Sequence, residues 1–310
     1  MEENKHYSFL EVIRKCDNVI LDSLVPWRLS SGAILGYLHH STIPHLSSYN
    51  SLFPEGQQPF VIREKCVEFA GWVNDYKKRC DVMHRLLEYW RKEQTFACLK
   101  GWRNELYPIY GDDSHEKGLA MSIERSGAYI FGIAAYGSHM NGYVRTAEGI
   151  KMWIGRRSPC KQTWPGYLDN TVGGGITCGD SPRMTIIRES EEEASIPRDV
   201  AEKSIAVGAV TYFTHDYVGL IAETIYCYDL EMPLDIEPKP CDGEVESFYL
   251  WDMDEVKKRI RAGEFQPCSA LVVIDFMIRH GIITAENDPD YIDITAALHR
   301  RLDHTGPRYL

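Results

Sequence analysis

Residues 173–196, GGGITCGDSPRMTIIRESEEEASI, constrain this chain more than any other stretch. Three consecutive glycines are followed by Gly179 and by Pro182, with Asp180 or Ser181 placed to cap a helix starting at the proline. On a helix each residue advances about 100°, so Glu192 falls at about −60° and Glu193 at about +40° from Glu189. Three carboxylates therefore share one side. Met184, Ile187 and Ala194 fall opposite, where a sheet is expected to bury them, and Glu191 points away from the trio. An exposed acidic face needs no such spacing. Carboxylates at i, i+3 and i+4 repel one another and destabilise a bare helix unless cations sit among the oxygens. Mg²⁺, with Mn²⁺ as the substitute, suits such an oxygen set and bridges carboxylates to phosphates. Arg188, one turn before Glu192, can hold a carboxylate in position. The glycines are expected to supply backbone conformations closed to other residues and close approach to a ligand.

The rest of the chain bounds what such a site serves. At a net charge of −11 over 310 residues, the protein should repel nucleic acid and anionic membranes. A phosphate-bearing small molecule must then be captured by metal or by local positive charge. Nine cysteines at irregular spacing, none in a C-x-x-C pair, argue for reduced thiols and against a zinc site. The N-terminus has no apolar signal-like core and no run of eighteen apolar residues occurs, so a soluble, cytoplasmic protein is expected.

Periodicity places a helix near 9–20, through Phe9, Ile13 and Val19-Ile20, and a long amphipathic helix at 72–94 with Val73, Tyr76, Cys80, Met83 and Leu87 on one side. Residues 118–158 read as paired strands, as do 204–213, 219–230 and 246–251. Helices are expected at 253–262, 269–279 and about 288–302. The simplest division is an N-terminal α+β domain at 1–115, a main domain at 116–285, and a C-terminal helix and tail at 286–310.

The stretch from Gly174 to Ile196 resembles the Nudix box, Gly-x5-Glu-x7-Arg-Glu-U-x-Glu-Glu-x-Gly-U, where U is bulky and apolar. Arg188-Glu189 and Glu192-Glu193 match outright; Asp180, Ser190 and Ser195 depart from it, Ser190 weakening the packing and Ser195 loosening the last turn. The resemblance implies an α+β fold built as a Nudix α/β/α sandwich around a mixed sheet, preceded here by the N-terminal α+β part. It implies a Mg²⁺-dependent hydrolase of diphosphate bonds, with Glu189, Glu192, Glu193 and the Gly173 carbonyl as ligands. Glu244, or failing it Glu246, in CDGEVESFYLWDMDEV resembles the further carboxylate many members add, and the general base would be Glu189 or Glu244.

GWRNELYPIYG, WPGYLDNTVGGGI and the tail FMIRHG…DPDYIDITAALHRRL extend the resemblance over nearly the whole chain, to fungal and plant Nudix proteins related to thiamine pyrophosphokinase. That implies hydrolysis of thiamine diphosphate and its oxidised forms to the monophosphate, a repair of damaged metabolite. Arg156, Arg157, Lys161 and Gly174 are candidates for the substrate phosphates, and Trp102, Tyr107 and Tyr110 for its rings; His215 stands on a loop within reach of substrate. Residues 1–115 would shape the recognition pocket, mediate homodimerisation, or both. The rivals are a hydrolase of another nucleoside diphosphate derivative, an isomerase like isopentenyl diphosphate isomerase with Cys160 as its thiol, and a non-catalytic binding module.

Overall fold

The computed structural model describes residues 6–307. Ser8 opens α1 (Phe9–Cys16) through a capping box with Glu11. The helix ends at Asp17, so Val19 and Ile20, expected on it, lie beyond it. Asp17 and Asn18 instead accept hydrogen bonds from the amides of Phe213 and His215, at 2.9 and 2.8 Å, which turns the chain out of the helix.

A small sheet follows, from β1 (Val25–Arg28), β2 (Ile34–Leu38), α2 (Ile43–Asn50), β3 (Phe60–Ile62) and β4 (Val67–Phe69), with strand order β2-β1-β4-β3. Asp75 caps α3 (Tyr76–Lys92). The buried stripe of α3 runs through Val82, Met83, Leu86, Leu87 and Trp90, rotated from the expected one. Tyr76 and Cys80 sit at its edge, where both meet the Ser122 hydroxyl. Next, β5 (Leu106–Tyr110) and β6 (Leu119–Glu124) pair antiparallel across the division expected near residue 115. The paired strands expected over 118–158 are interrupted by α4 (Ala128–Phe131), which Gly132 ends in the left-handed conformation.

The main sheet begins with β7 (Ala134–Thr146), β8 (Gly149–Arg157), β9 (Leu168–Asp169) and β10 (Val172–Gly175). It continues through α5 (Pro182–Ala194), α6 (Arg198–Ala201), β11 (Ile205–His215), β12 (Leu220–Glu231) and β13 (Val245–Asp252). Three helices close the chain: α7 (Met253–Arg261), α8 (Pro267–Arg279) and α9 (Tyr291–Ala297). The last is shorter than expected, because after Leu298 the backbone runs extended along β11, bonding to Thr211. Five of the sheet's seven strands run in the order β11-β12-β7-β8-β13, with β10 paired to β7 and β9 to β8 beside that path, and the sheet is mixed, with β7 and β12 parallel. Residues 134–144 of β7 are all buried, as a central strand covered on both faces requires.

Helices α1 and α8 cover one face through Phe9, Ile13, Ile225, Leu271 and Phe276; α5 and α6 cover the other through Met140, Ile186, Ala194, Val200 and Tyr228. This is the α/β/α sandwich, preceded by an α+β part whose core reaches Ile133 and Ala135 at the start of β7. β7 and β8 pair only near their shared turn; beyond Tyr143 they diverge, and β10 and β9 take their places as partners. That splay opens the sheet beside α5. No helix is long and apolar enough to cross a membrane among the described residues.

Candidate active site

Of the two candidate caps, Ser181 holds α5: its hydroxyl accepts from the Met184 amide, and Pro182 follows. Ile186, Ile187, Ser190, Glu193 and Ala194 of α5 form a buried arc centred near Ser190, and Thr185 is buried outside it. Met184, expected inside, lies outside that arc and is 57% exposed. The three carboxylates straddle its edge instead of opposing it: Glu193 is buried, Glu189 stands at the rim and Glu192 is exposed. Ser190 satisfies its hydroxyl in the core by donating to the Ile186 carbonyl at 2.7 Å. Ser195 ends the helix at φ 53°, the left-handed conformation glycine favours, and its amide donates to the Ser190 carbonyl.

Of the two roles expected of the glycines, close approach falls to Gly174 and Gly175 and a conformation closed to other residues to Gly179. None of Gly173, Gly174 and Gly175 has a positive φ; in this stretch only Gly179 does, at 101°. A Cβ on Gly174 would stand 2.6 Å from the Glu189 side chain, and one on Gly175 2.6 Å from the Tyr107 hydroxyl. Glycine is what lets β10 pass beneath Glu189.

Arg188 donates to Asp180 at 2.6 Å and to Glu189 Oε1 at 3.0 Å, with Glu192 at 3.8 Å. Among the described residues, Glu193 accepts only a long bond, 3.4 Å, from the Gly173 amide. Burial, and then the Glu189 charge, push its carboxyl well above the ordinary value; burial also raises Glu189, against Arg188. Opposite, Gly243 at φ 85° turns the chain so that Asp242 accepts from the Glu244 amide. Carboxylate oxygens of Glu193, Asp242 and Glu244 then lie within 4.8 Å of one another. Burial raises the Glu244 carboxyl, but its ion pair with Lys161 prevails and holds it below the ordinary value. A buried carboxyl with one weak donor, facing two carboxylates, keeps its charge only beside a cation. The donors are all oxygen, so the residues fit a hard divalent ion.

These groups line a cavity of about 760 Å³ together with Lys161, Arg103, Arg125, Arg157, Tyr107 and Cys160. Arg157 is committed to Asp169 at 2.7 Å and to the carbonyls of Thr163 and Trp164, so its fork shapes the loop after β8. Arg156 is outside this lining and donates to the Gly166 carbonyl and the Tyr249 hydroxyl. Trp102 is outside it too, bonded to Asn104 beneath Arg91. Tyr107 is a buried wall residue; Tyr110 packs on Tyr136. Glu246 is exposed on β13, and His215 borders a neighbouring cavity beside His39.

Asp242, Arg103 and Glu223 reach the cavity without having been singled out in the sequence. Arg103 stood in a segment notable for aromatics, with nothing local to mark it. Glu223 had a signal: a carboxylate inside GLIAETIYCYDL, an otherwise strand-like apolar run.

Residues 140–269 match the protein family described as NUDIX domain, and residues 8–135 a family described as a domain of unknown function, DUF4743. The chain is 34% identical to an uncharacterized protein of Saccharomyces cerevisiae, over 96% of this chain and 92% of that one. It is 36% identical to Nudix hydrolase 20, chloroplastic, of Arabidopsis thaliana, over 94% of this chain and 78% of that one. Among solved structures, that of DR0079 from Deinococcus radiodurans is similar over 55% of this chain and 96% of its own, at 20% identity and a TM-score of 0.41.

Proposed function

This chain belongs to the Nudix hydrolases, which cleave diphosphate bonds of small molecules with divalent metal ions, and from that premise we propose a Mg²⁺-dependent thiamine diphosphate pyrophosphohydrolase. Its preferred substrates are the oxidised (oxo and oxy) thiamine diphosphates, cleaved to the monophosphate and inorganic phosphate. The observation carrying the chemistry is buried Glu193 facing Asp242 and Glu244 beside Glu189, in a cavity that also presents Lys161 and Arg103. The thiamine preference is supported by the resemblance of GWRNELYPIYG, WPGYLDNTVGGGI and the C-terminal tail.

Glu189, Glu192, Glu193 and Glu244, with Asp242 and the Gly173 carbonyl, would hold the ion. Bound there, it supplies charge neutralisation on the diphosphate and a more acidic water. Water attacks the terminal phosphorus, the bond to the bridging oxygen breaks, and the monophosphate leaves with the electron pair. Glu189 accepts the proton. Arg188 engages its Oε1 and no partner among the described residues holds its second oxygen, whereas Lys161 occupies Glu244. Lys161 and Arg103 meet the non-bridging phosphate oxygens. Residues 1–115 contribute Arg103, Glu105 and Tyr107 to the wall, which supports recognition as their role. Nine free thiols support a reducing, cytoplasmic location.

Substrate loss and product formation should be followed chromatographically with Mg²⁺ and with EDTA across thiamine diphosphate, oxothiamine diphosphate, ADP-ribose, NADH and diadenosine polyphosphates. The thiamine compounds are expected to lead. Glu189→Gln should lower kcat by about 10²-fold or more, and Glu244→Gln by less. A nucleotide in the lead would leave the hydrolase and remove the thiamine assignment.

A further inference from the structure

Four carboxylates of the cavity lining have no part in this chemistry: Glu105, Asp169, Asp216 and Glu223. Glu223, half-buried on β12, lines the same 760 Å³ space as Glu189. Its acidic neighbours in the wall are engaged: Glu105 by Arg125, Asp169 by Arg157, and Asp216 by the amides of Val218 and Gly219. Glu223 accepts a hydrogen bond from the Tyr212 hydroxyl, and among the described residues no Lys, Arg or His lies within ion-pair distance of it. Tyr212 is buried, and burial followed by the Glu223 charge pushes its phenol well above the ordinary value. Its proton therefore stays on and is committed to Glu223. A carboxylate offers about four acceptor sites and a tyrosine donates one bond, so most of this acceptor capacity remains unfilled.

The sheet beside Glu223 is bare. A Cβ on Gly137 would already touch the Glu223 carboxylate at 3.4 Å, and across the strand pair lies Gly175. Glu223 stands beside Ala135 of β7; Gly174, beneath Glu189, stands beside Ser138 on the other flank of that strand. Three residues along the strand and two strand spacings across it separate the two positions by roughly 14 Å, a span suited to a ring system joined to a diphosphate.

We infer that Glu223, oriented by Tyr212, is a recognition residue for the end of the substrate remote from the phosphates, and that it selects a nitrogen heterocycle donating N–H. This rests on reading the cavity as the diphosphate site. An acceptor-only group in a walled cavity gains strongly from such a donor and repels additional phosphates, so it discriminates in both directions.

The test is calorimetric titration of the full chain with thiamine, which carries no phosphate, in EDTA. Wild type is expected to bind, and Glu223→Gln to bind about 10- to 100-fold more weakly. On the wild-type chain alone, the aminopyrimidine half of thiamine should bind about tenfold or more above the hydroxyethylthiazole half, a comparison needing no variant. Equal affinity of wild type and Glu223→Gln, equal affinity for the two halves, or no thiamine binding by wild type overturns the inference. Thiamine binding through Glu223 in a chain that hydrolyses no diphosphate would overturn the functional reading and leave this one standing.

Discussion

Glu193 brings stability and function into opposition in a single side chain. Buried beside Glu189 with one long hydrogen bond, its charge destabilises the metal-free fold. Glu193→Gln is therefore expected to raise stability in EDTA by about 1 kcal/mol while lowering Mg²⁺-dependent turnover by about 10²-fold. Mg²⁺ should raise the melting temperature of wild type and not of the variant, since only a bound ion shifts the equilibrium. A variant that melts lower in EDTA would show that the charge is compensated within the protein. His304 gives a pH dependence elsewhere. Burial pulls its imidazole down to about 4, and its Nε2–H donates to the Gly132 carbonyl at 2.9 Å. The unfolded chain, with an ordinary pKa of about 6.5, takes up the proton first. The His304 contribution is complete above about pH 6.5 and is lost as pH falls towards 4, by up to about 3 kcal/mol. Urea unfolding between pH 8 and 4 should show this slope in wild type and a shallower one in His304→Gln. Equal slopes would place the acid sensitivity elsewhere.

Elements decide how those residues are presented. The spacing of Glu189, Glu192 and Glu193 was legible because a helix converts sequence separation directly into angle. Their burial was not, because burial depends on where the sheet meets α5, and that contact runs along Ser190 and Ile186. The glycine run was read as conformational freedom and as close approach; β10 is an ordinary extended strand whose neighbours leave no room for a Cβ, and only Gly179 among these glycines takes a positive φ. Gly174→Ala should displace Glu189, costing about 1–3 kcal/mol and tenfold or more in kcat, whereas an alanine at a merely flexible loop position would not. Ser195 sits left-handed at the end of α5. Ser195→Gly should stabilise by about 0.5–1 kcal/mol in urea unfolding, with activity unchanged. A destabilised variant would mean that the hydroxyl bond to the Lys239 carbonyl outweighs the backbone relief.

Across the whole molecule, the first and last described segments pack against the main sheet. Phe9, Leu10 and Ile13 of α1 pack on α8, Asp17 pairs with Arg300 at 2.7 Å, and His304 reaches back to Gly132. Burying each large apolar side chain contributes about 1.5–3 kcal/mol, and a domain is stable by about 5–15 kcal/mol in all. A chain beginning at residue 19 should therefore lose most of its cooperative thermal transition, even though residues 140–269 alone match the family. A melting temperature within a few degrees of the full chain would refute this.

Sequence by itself determined the helix that carries three carboxylates, the glycines before it, the α+β class and the family, because each is written in local spacing. Only tertiary structure decided that Asp242 and Glu244 face Glu193, that Arg157 is spent on its own loop, that Arg156 and Trp102 stand outside the cavity, and that Arg103 and Glu223 stand within it. The physical reason is that a site drawn from distant segments is assembled by strand register and by the splay of β7 from β8. Those follow from the packing of the whole core, and no residue-to-residue spacing along the chain records them.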